Sequence, residues 1–137
     1  MDNLSKLGFL AAEHLLTEIV HKGDLGIILC TSSSSLETDT AFQKTIEDEA
    51  NFFPSPSVFV YTLPNIVMGE ICIRHSIHGE NMMFIMNEND TECFYEHASD
   101  LFKEMKLKKC IVGYLDCYNN NMKADFRIFE NINFNKE

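Results

Sequence analysis

Cysteine and histidine side chains are the first candidates for chemistry in this chain. Its five cysteines are Cys30, Cys72, Cys93, Cys110 and Cys117. No two of them have CxxC spacing, and their number is odd, which is typical of a reducing compartment where most thiols are small buried hydrophobic groups. His75 and His78 lie three positions apart, but no second pair of ligands has zinc-site spacing. We therefore expect no metal site and no cofactor.

The net charge of the chain is −10, from 11 basic and 21 acidic residues. A surface of this sign repels phosphate backbones, so the composition disfavours nucleic acid as a partner. The local basic cluster consists of Lys103, Lys106, Lys108 and Lys109. It falls at the end of a predicted helix, where positive charge complements the helix dipole.

The length of 137 residues predicts a single domain, residues 1–137, and the apolar content of 45% is that of an ordinary globular chain. No apolar run reaches the ~18 residues that a membrane span requires. The start Met1-Asp2-Asn3 has no basic region ahead of an apolar one, as a signal peptide would. We expect a cytoplasmic protein without a membrane segment.

Three continuous apolar runs predict strands that are buried on both faces: Leu25–Thr31, 82–86 and 110–115. A weaker alternation over residues 124–129 predicts a fourth strand, which can be an antiparallel edge strand. A helix is predicted over residues 91–106, and Asn89 or Asp90 can cap it. Strands separated by helices predict an α/β fold with a mostly parallel central sheet and helices packed on it.

Five apolar residues at helical spacing predict the first helix: Leu4, Leu7, Ala11, Leu15 and Ile19. Asp2 or Asn3 can cap its start. Ser34 and Glu37 have capping-box spacing, which predicts a second helix over residues 36–49.

The middle of the chain predicts a break and then a third helix. Residues 58–61 are predicted to be extended or turn-like. Thr62 can cap a helix that has Pro64 in its first turn and continues to about His75. Gly69 within this helix indicates a close approach to another backbone.

Several short motifs follow one another along these elements. They are Leu25-Gly-Ile-Ile-Leu-Cys-Thr-Ser-Ser-Ser-Ser-Leu-Glu-Thr38, Leu63-Pro64-Asn65, the helix end with Gly69, Ile73 and Arg74, the turn Gly79-Glu80-Asn81, and Cys110-Ile-Val-Gly-Tyr-Leu-Asp116. In this order they resemble the motifs of β-ketoacyl synthases, the thiolase-like condensing enzymes of fatty-acid and polyketide assembly. The resemblance covers about residues 5 to 118. It implies a thiolase-like half-fold.

The resemblance also implies that the catalytic cysteine is missing. In that family the nucleophile lies where a buried strand turns into the next helix, whose N–H groups activate the thiol and serve an oxyanion. Counting from the motifs on either side places this position at Glu88, or at Asn87. Cys93 comes five residues after Glu88, inside the predicted helix, where its thiol would face neither the turn nor the oxyanion donors. Glu88 is then either a loop carboxylate favoured near a helix N-terminus or an imitation of a charged acyl-thioester or carboxylate in the site of a partner.

Other catalytic groups of the family come from its C-terminal half, which supplies two histidines and a lysine. The resemblance implies a truncated N-terminal-half homologue without them, and it also lacks roughly the first sixty family residues. His97 lies in the helix after Glu88 and is interpreted as a surface or packing histidine. We therefore expect no condensing activity, because the chain shows neither a nucleophile to hold the acyl group covalently nor groups to stabilise the enolate.

Three functions remain open. The first is a non-catalytic partner subunit in fatty-acid or polyketide biosynthesis of the polyene-pigment type, forming a homodimer or a heterodimer with a full-length ketosynthase and meeting acyl carrier protein only indirectly. In the family, the strand at 82–86 lies at the dimer axis, and a half-fold that exposes it has an edge to cover.

The second function is a dimeric binding module for an acyl chain or another apolar ligand. Its pocket would be lined by aromatic and methionine side chains: Phe52, Phe53, Phe59, Met82 and Met83. The third is a hydrolase or decarboxylase that acts through Glu88 and His97.

Overall fold

The computed structural model describes residues 1–17, 19 and 24–131. Within these ranges the helices and strands follow the order α1 (Asn3–Leu16), β1 (Leu25–Thr31), α2 (Leu36–Lys44), α3 (Pro56–Phe59), α4 (Ile66–His75), β2 (Asn81–Ile85), α5 (Thr91–Glu104), β3 (Lys109–Tyr118) and β4 (Asn121–Glu130). Short 3-10 turns lie at Glu49–Asn51, Val60–Thr62 and Glu88–Asp90.

The four strands form one sheet in the order β2-β1-β3-β4. Strand β1 pairs in parallel with β2 and with β3, whereas β4 pairs antiparallel with β3. The prediction of a mostly parallel α/β sheet is confirmed, as is an antiparallel edge strand. The β3–β4 turn has Asn119 and Asn120 at φ 51° and 61°. Both angles are positive, as a tight hairpin turn requires, and asparagine tolerates them well.

Each face of the sheet carries its own apolar core. On one face, α1 and α4 contribute Leu4, Leu16, Val67 and Ile71 to a core with alternate residues of β1 and β3. On the other face, α5 contributes Phe94, Ala98 and Phe102. Every residue of β1 is buried, because this strand has a neighbouring strand on each side and helices on both faces.

Helix α1 starts as predicted, with the carboxylate of Asp2 accepting a hydrogen bond from the backbone N–H of Ser5 at 2.9 Å. Its buried face is displaced by about one residue from the predicted one, since Ala12 and Leu16 are fully buried instead of Ala11 and Leu15. The close packing of α1 on α4 determines this displacement. A Cβ atom built on Gly8 would lie 2.4 Å from Cγ2 of Val67, so only glycine fits there without a shift.

Helix α2 is shorter than predicted and does not use the predicted capping box. Ser34 has a φ of 56°, so Ser35 is the N-cap residue instead. The hydroxyl of Ser35 donates to the carbonyl of Thr62 at 2.7 Å rather than capping its own helix. The helix ends at Lys44 because the N–H of Thr45 reaches back to the Phe42 carbonyl in a tighter turn.

The predictions around residues 58–69 were also wrong in part. Residues 58–61 were predicted to be extended or turn-like. They form the end of α3 and the start of the 3-10 turn that follows it, so none of them is extended. Helix α4 has Asn65 as its N-cap, so Thr62 does not cap it and Pro64 precedes it. The close approach expected at Gly69 is absent, since a Cβ atom built there meets nothing within 4 Å.

No single helix within the described residues is long and apolar enough to cross a membrane. The segment Pro56–Thr62 and helix α4 satisfy the length and composition criteria only when they are taken together, and they bend by 97° at the break between them. In the fold, α4 buries Val67, Met68 and Ile71 against the sheet.

Two glycine-to-alanine substitutions test this packing. A Cβ atom at Gly79 would lie 2.2 Å from the backbone oxygen of Leu25, so the backbone has to move. We expect Gly79→Ala to lower the free energy of unfolding by roughly 1–3 kcal/mol in urea denaturation. Gly69→Ala is the matched control and should raise it by about 0.5–1 kcal/mol, because alanine favours an open helical position. Equal effects of the two substitutions would contradict the close β1–Gly79 contact.

Candidate functional site

The ends of the strands bring polar residues together at one edge of the sheet. Strands β1, β2 and β3 are parallel, so their carboxyl ends lie side by side. Strand β4 starts at this same edge because it returns antiparallel from β3. In open α/β sheets this edge is where ligand and catalytic sites are usually found. We call residues 31–35, 86–90, 114–118 and 121–125 the carboxyl edge.

Asp116 of β3 organises the loop that follows β1. Its Oδ1 atom accepts hydrogen bonds from Thr31 Oγ1 at 2.8 Å, from the Ser32 N–H at 3.1 Å and from the Ser33 N–H at 2.7 Å. Its Oδ2 atom accepts from Ser33 Oγ at 2.9 Å. The half-buried carboxylate thus accepts hydrogen bonds from backbone N–H groups of the loop that no strand or helix partner satisfies. Sequence reasoning missed this role, and the only signal was one acidic residue at the end of an apolar strand.

Asn87 and Glu88 occupy the junction between β2 and α5. The Met86 N–H donates to the Thr31 carbonyl at 2.9 Å, which holds the end of β2 beside β1. Asn87 then caps a single 3-10 turn, with its side chain accepting from the Asn89 N–H at 3.3 Å. Glu88 begins this turn, and α5 starts directly after it. The chain therefore passes from strand β2 into helix α5 through the turn that begins at Glu88.

The carboxylate of Glu88 binds a lysine from the far edge strand. Lys123 Nζ lies 3.1 Å from Glu88 Oε1, and the two side chains are 57% and 54% exposed. A pair this exposed adds little stability. Its hydrogen bond to Glu88 raises the pKa of Lys123, so the amine stays protonated and is not a nucleophile at neutral pH.

A polar chain continues from this ion pair along the carboxyl edge. Lys123 lies 5.4 Å from the ring centroid of Tyr114, and the Tyr114 hydroxyl is 2.9 Å from Ser32 Oγ. Burial raises the pKa of Tyr114, which keeps the phenol protonated. The edge therefore presents a carboxylate, an ammonium group and hydroxyl groups. These groups can bind and orient a polar partner.

Burial makes most of the thiols inert. It raises the pKa of Cys30 to about 12, with a further contribution from the Asp116 charge, and that of Cys110 to about 12. The pKa of Cys117 is raised to about 11 by burial and by Glu37. At neutral pH these groups are thiols, and thiols are poor nucleophiles. The prediction of buried, unreactive cysteines is confirmed for these three.

The remaining candidates lie apart from one another. Cys93 is exposed on α5, and the exposed His97 contacts the Phe84 ring at a centroid distance of 5.8 Å. Neither makes a described contact with Glu88. His75 lies 3.0 Å from Glu13 through its Nε2 atom, whereas His78 is exposed. Among the described residues, no three histidine, cysteine or acidic side chains are arranged to hold a metal ion.

The residues of the predicted apolar pocket lie in two places. Phe59 is 57% exposed and packs on Phe42 with ring centroids 5.3 Å apart. Met82 and Met83 are half-buried neighbours on β2, so their side chains point to opposite faces of the sheet. A pocket that uses both methionines would have to reach around the open edge of β2.

No protein-family model matches the sequence, and no curated protein matches it. Solved structures do share its fold. The ishigamide ketosynthase/chain length factor matches with a TM-score of 0.83 and 19% identity, over 97% of this chain and 44% of that chain.

A ketosynthase (ApeO) in complex with its chain length factor (ApeC) from Xenorhabdus doucetiae matches with a TM-score of 0.77 and 12% identity, over 95% of this chain and 58% of that one. The chain thus spans about half the length of these neighbours. Over this length its fold is similar to that of the ketosynthase/chain length factor proteins.

The Asp116 network gives a second pair of matched substitutions. We expect Asp116→Asn to lower the free energy of unfolding by about 1–2 kcal/mol, because the neutral amide oxygen replaces charge-assisted hydrogen bonds from the Ser32 and Ser33 N–H groups with weaker ones. Amide hydrogen exchange at Ser32 and Ser33 should accelerate. Asp100→Asn removes only an exposed pair with Lys103 at 3.4 Å and should change stability by less than about 0.5 kcal/mol. Unchanged exchange in the Asp116 variant would contradict this role.

Proposed function

We propose that this chain is a non-catalytic, ketosynthase-like subunit that pairs with a full-length ketosynthase in a polyketide or fatty-acid pathway of the polyene-pigment type. The proposal keeps the single domain and the cytoplasmic location that the sequence predicts. Acyl carrier protein would then be met through the ketosynthase. The chain itself would shape or stabilise its partner.

The observation that carries this proposal is the Glu88–Lys123 pair at the strand–helix junction. The resemblance assigns the nucleophile to this junction, where the chain has an acidic side chain 3.1 Å from a protonated lysine. This position therefore offers no thiolate nucleophile, and no described contact joins Glu88 to a histidine. The fold is thus compatible with a subunit that keeps the architecture of the site without its covalent chemistry.

The open edge of β2 supports pairing with a second chain. Strand β2 ends the sheet and pairs only with β1 among the described strands. The Met86 N–H points to β1. Because successive backbone N–H groups of a strand point to opposite sides, those of Ile85 and Met83 point outward, away from the sheet. Ile85 is also 63% exposed. An exposed apolar edge strand of this kind is a template with which another chain can pair.

A second candidate function is supported by exposed aromatic residues next to α3. Phe52, Phe53 and Phe59 are 61%, 76% and 57% exposed. An apolar surface of this type fits an acyl chain or another apolar ligand, and a dimer could enclose it together with Met82 and Met83. Native mass spectrometry of the protein purified from its host separates the candidates, since a bound lipid favours this function and a co-purifying ketosynthase favours the first.

Partner binding can be tested at the β2 edge with two isoleucines. We expect Ile85→Lys to reduce co-purification of a full-length ketosynthase encoded next to its gene by tenfold or more, on the order of 1.4 kcal/mol, because lysine blocks edge-to-edge pairing. Ile73→Lys is the control: Ile73 is 82% exposed on α4 and is not part of strand β2. Both substitutions replace exposed isoleucine, so the folding cost should be similar. Loss of binding in both variants, or in neither, would argue against the β2 interface.

The absence of catalysis is tested directly at Glu88. We expect the wild-type protein to hydrolyse or decarboxylate malonyl and acyl thioesters no faster than background, and Glu88→Gln to leave this rate unchanged. Hydrolysis is measured by release of free thiol, and decarboxylation by release of carbon dioxide. Wild-type turnover that falls in Glu88→Gln and in His97→Ala would instead support the hydrolase or decarboxylase alternative.

A further inference from the structure

Strand β4 has a long row of backbone groups that no described strand covers. It ends the sheet, and among the described strands it pairs only with β3. The Asn131 N–H donates to the Lys108 carbonyl at 2.9 Å, which fixes the direction of the backbone groups before it. Because these groups alternate in direction, the N–H and C=O groups of the even-numbered residues from Met122 to Glu130 point away from β3. We call this row the outer edge of β4.

The charged side chains near the middle of β4 are arranged around Phe126. The Arg127 guanidinium lies 4.2 Å from the centroid of the Tyr95 ring on α5, and Asp125 shares this face of the strand because alternate residues lie on one face. Opposite charges therefore stand on either side of Phe126. Charges on an edge strand usually oppose pairing with another strand, so the outcome depends on what lies opposite them.

A second copy of β4, running antiparallel, satisfies this arrangement. When Phe126 lies opposite Phe126 of the second copy, each Asp125 lies opposite an Arg127. Cβ atoms of directly opposite residues are about 5 Å apart, so an ion pair can form on each side of the two-fold axis. All outward backbone groups from Met122 to Glu130 then find partners, in about ten hydrogen bonds.

The net charge of β4 also favours contact between copies at this strand. The whole chain carries −10, so two copies repel each other at long range. Strand β4 has two basic residues, Lys123 and Arg127, and two acidic residues, Asp125 and Glu130, which sum to zero. The paired strands themselves therefore add no net repulsion.

Helix α1 supplies a second observation. It packs on β3 and β4 and beside α4, and its Glu13 pairs with Arg74 of α4 at 3.1 Å. Leu7, Ala11 and Leu15 lie on the other flank of α1, because residues of a helix turn by about 100° each. This flank faces the outer edge of β4, and its three apolar side chains are only half-buried.

Pairing through β4 would cover this flank. The α1 helices of the two copies would lie about two strand spacings apart, or about 10 Å, which is the distance between packed helices. We propose that two copies of this chain join their β4 strands antiparallel about Phe126, forming one continuous sheet with the two α1 helices packed against each other on one face.

This interface is separate from the one proposed at β2. Strands β2 and β4 lie at opposite edges of the sheet, so a dimer formed through β4 leaves β2 free for a ketosynthase. The inference goes beyond the ketosynthase partnership and does not depend on it.

A charge exchange tests the register by sedimentation velocity of the full chain, for which we expect a dimer. Asp125→Arg places arginine opposite arginine at both symmetric contacts and should raise the dimer Kd roughly tenfold. Asp125→Arg combined with Arg127→Asp restores opposite charges and should return the Kd close to that of the wild type. Glu47→Arg, the matched control, makes the same charge change at an exposed position after α2 and should leave the Kd nearly unchanged.

The control also separates the contact from general repulsion. Asp125→Arg and Glu47→Arg lower the negative charge of the chain equally, so a weaker dimer in Asp125→Arg alone has a local cause. A monomeric wild type, or a charge exchange that dimerises as weakly as Asp125→Arg, would overturn the proposal.

A proline substitution tests the backbone of the outer edge. The N–H of Ala124 points away from β3, so Ala124→Pro keeps the β3–β4 ladder and removes a donor of the dimer. We expect this variant to be monomeric, with its fold checked by circular dichroism, whereas Ile85→Lys on β2 should remain dimeric. A dimer that is kept in Ala124→Pro and lost in Ile85→Lys would show that the copies pair through β2 instead.

Discussion

The burial of β1 on all sides is the constraint on which the rest of the structure depends. This strand has β2 and β3 as neighbours and an apolar core on each face. Because it has no exposed surface, the elements around it have fixed positions: α1 and α4 on one face and α5 on the other. The turn at Gly79 passes so close to Leu25 that a side chain has no space there. The parallel strand ends, and with them the carboxyl edge, follow from this arrangement.

Within that edge, one carboxylate has a structural role and another lies at the expected position of a nucleophile. Asp116 binds the loop after β1 through four hydrogen bonds, which makes the edge a rigid surface. Glu88 lies where a strand passes into α5 and is paired with Lys123. The edge is thus ordered and polar, and its described contacts include no activated thiol. This combination is the physical basis for proposing a subunit that works through its partners rather than through covalent chemistry.

Sequence patterns predicted the strands better than the caps of the helices. Continuous apolar runs identified β1, β2 and β3, and for β1 and β3 the reason is burial on both faces, which leaves little choice of residue type. The same burial was predicted for β2 and was wrong, because β2 lies at the edge of the sheet and its residues are half-buried or exposed. The capping box at Ser34 and Glu37 failed because Ser34 adopts a left-handed conformation and Ser35 donates to Thr62 instead. Local cap signals are weak where a loop is held by distant groups. The pairing of Asp116 with Ser32 and Ser33 was not predictable, since 83 and 84 positions separate the partners.

The sequence by itself determined the α/β class and the position of Glu88 between a strand and a helix, because these follow from periodicity and from motif order, whereas it left the antiparallel pairing of the last strand open. Only the tertiary structure decided which side chain forms an ion pair with Glu88. Lys123 lies 35 positions later and reaches Glu88 because the β3–β4 hairpin returns the chain to the edge where β2 ends.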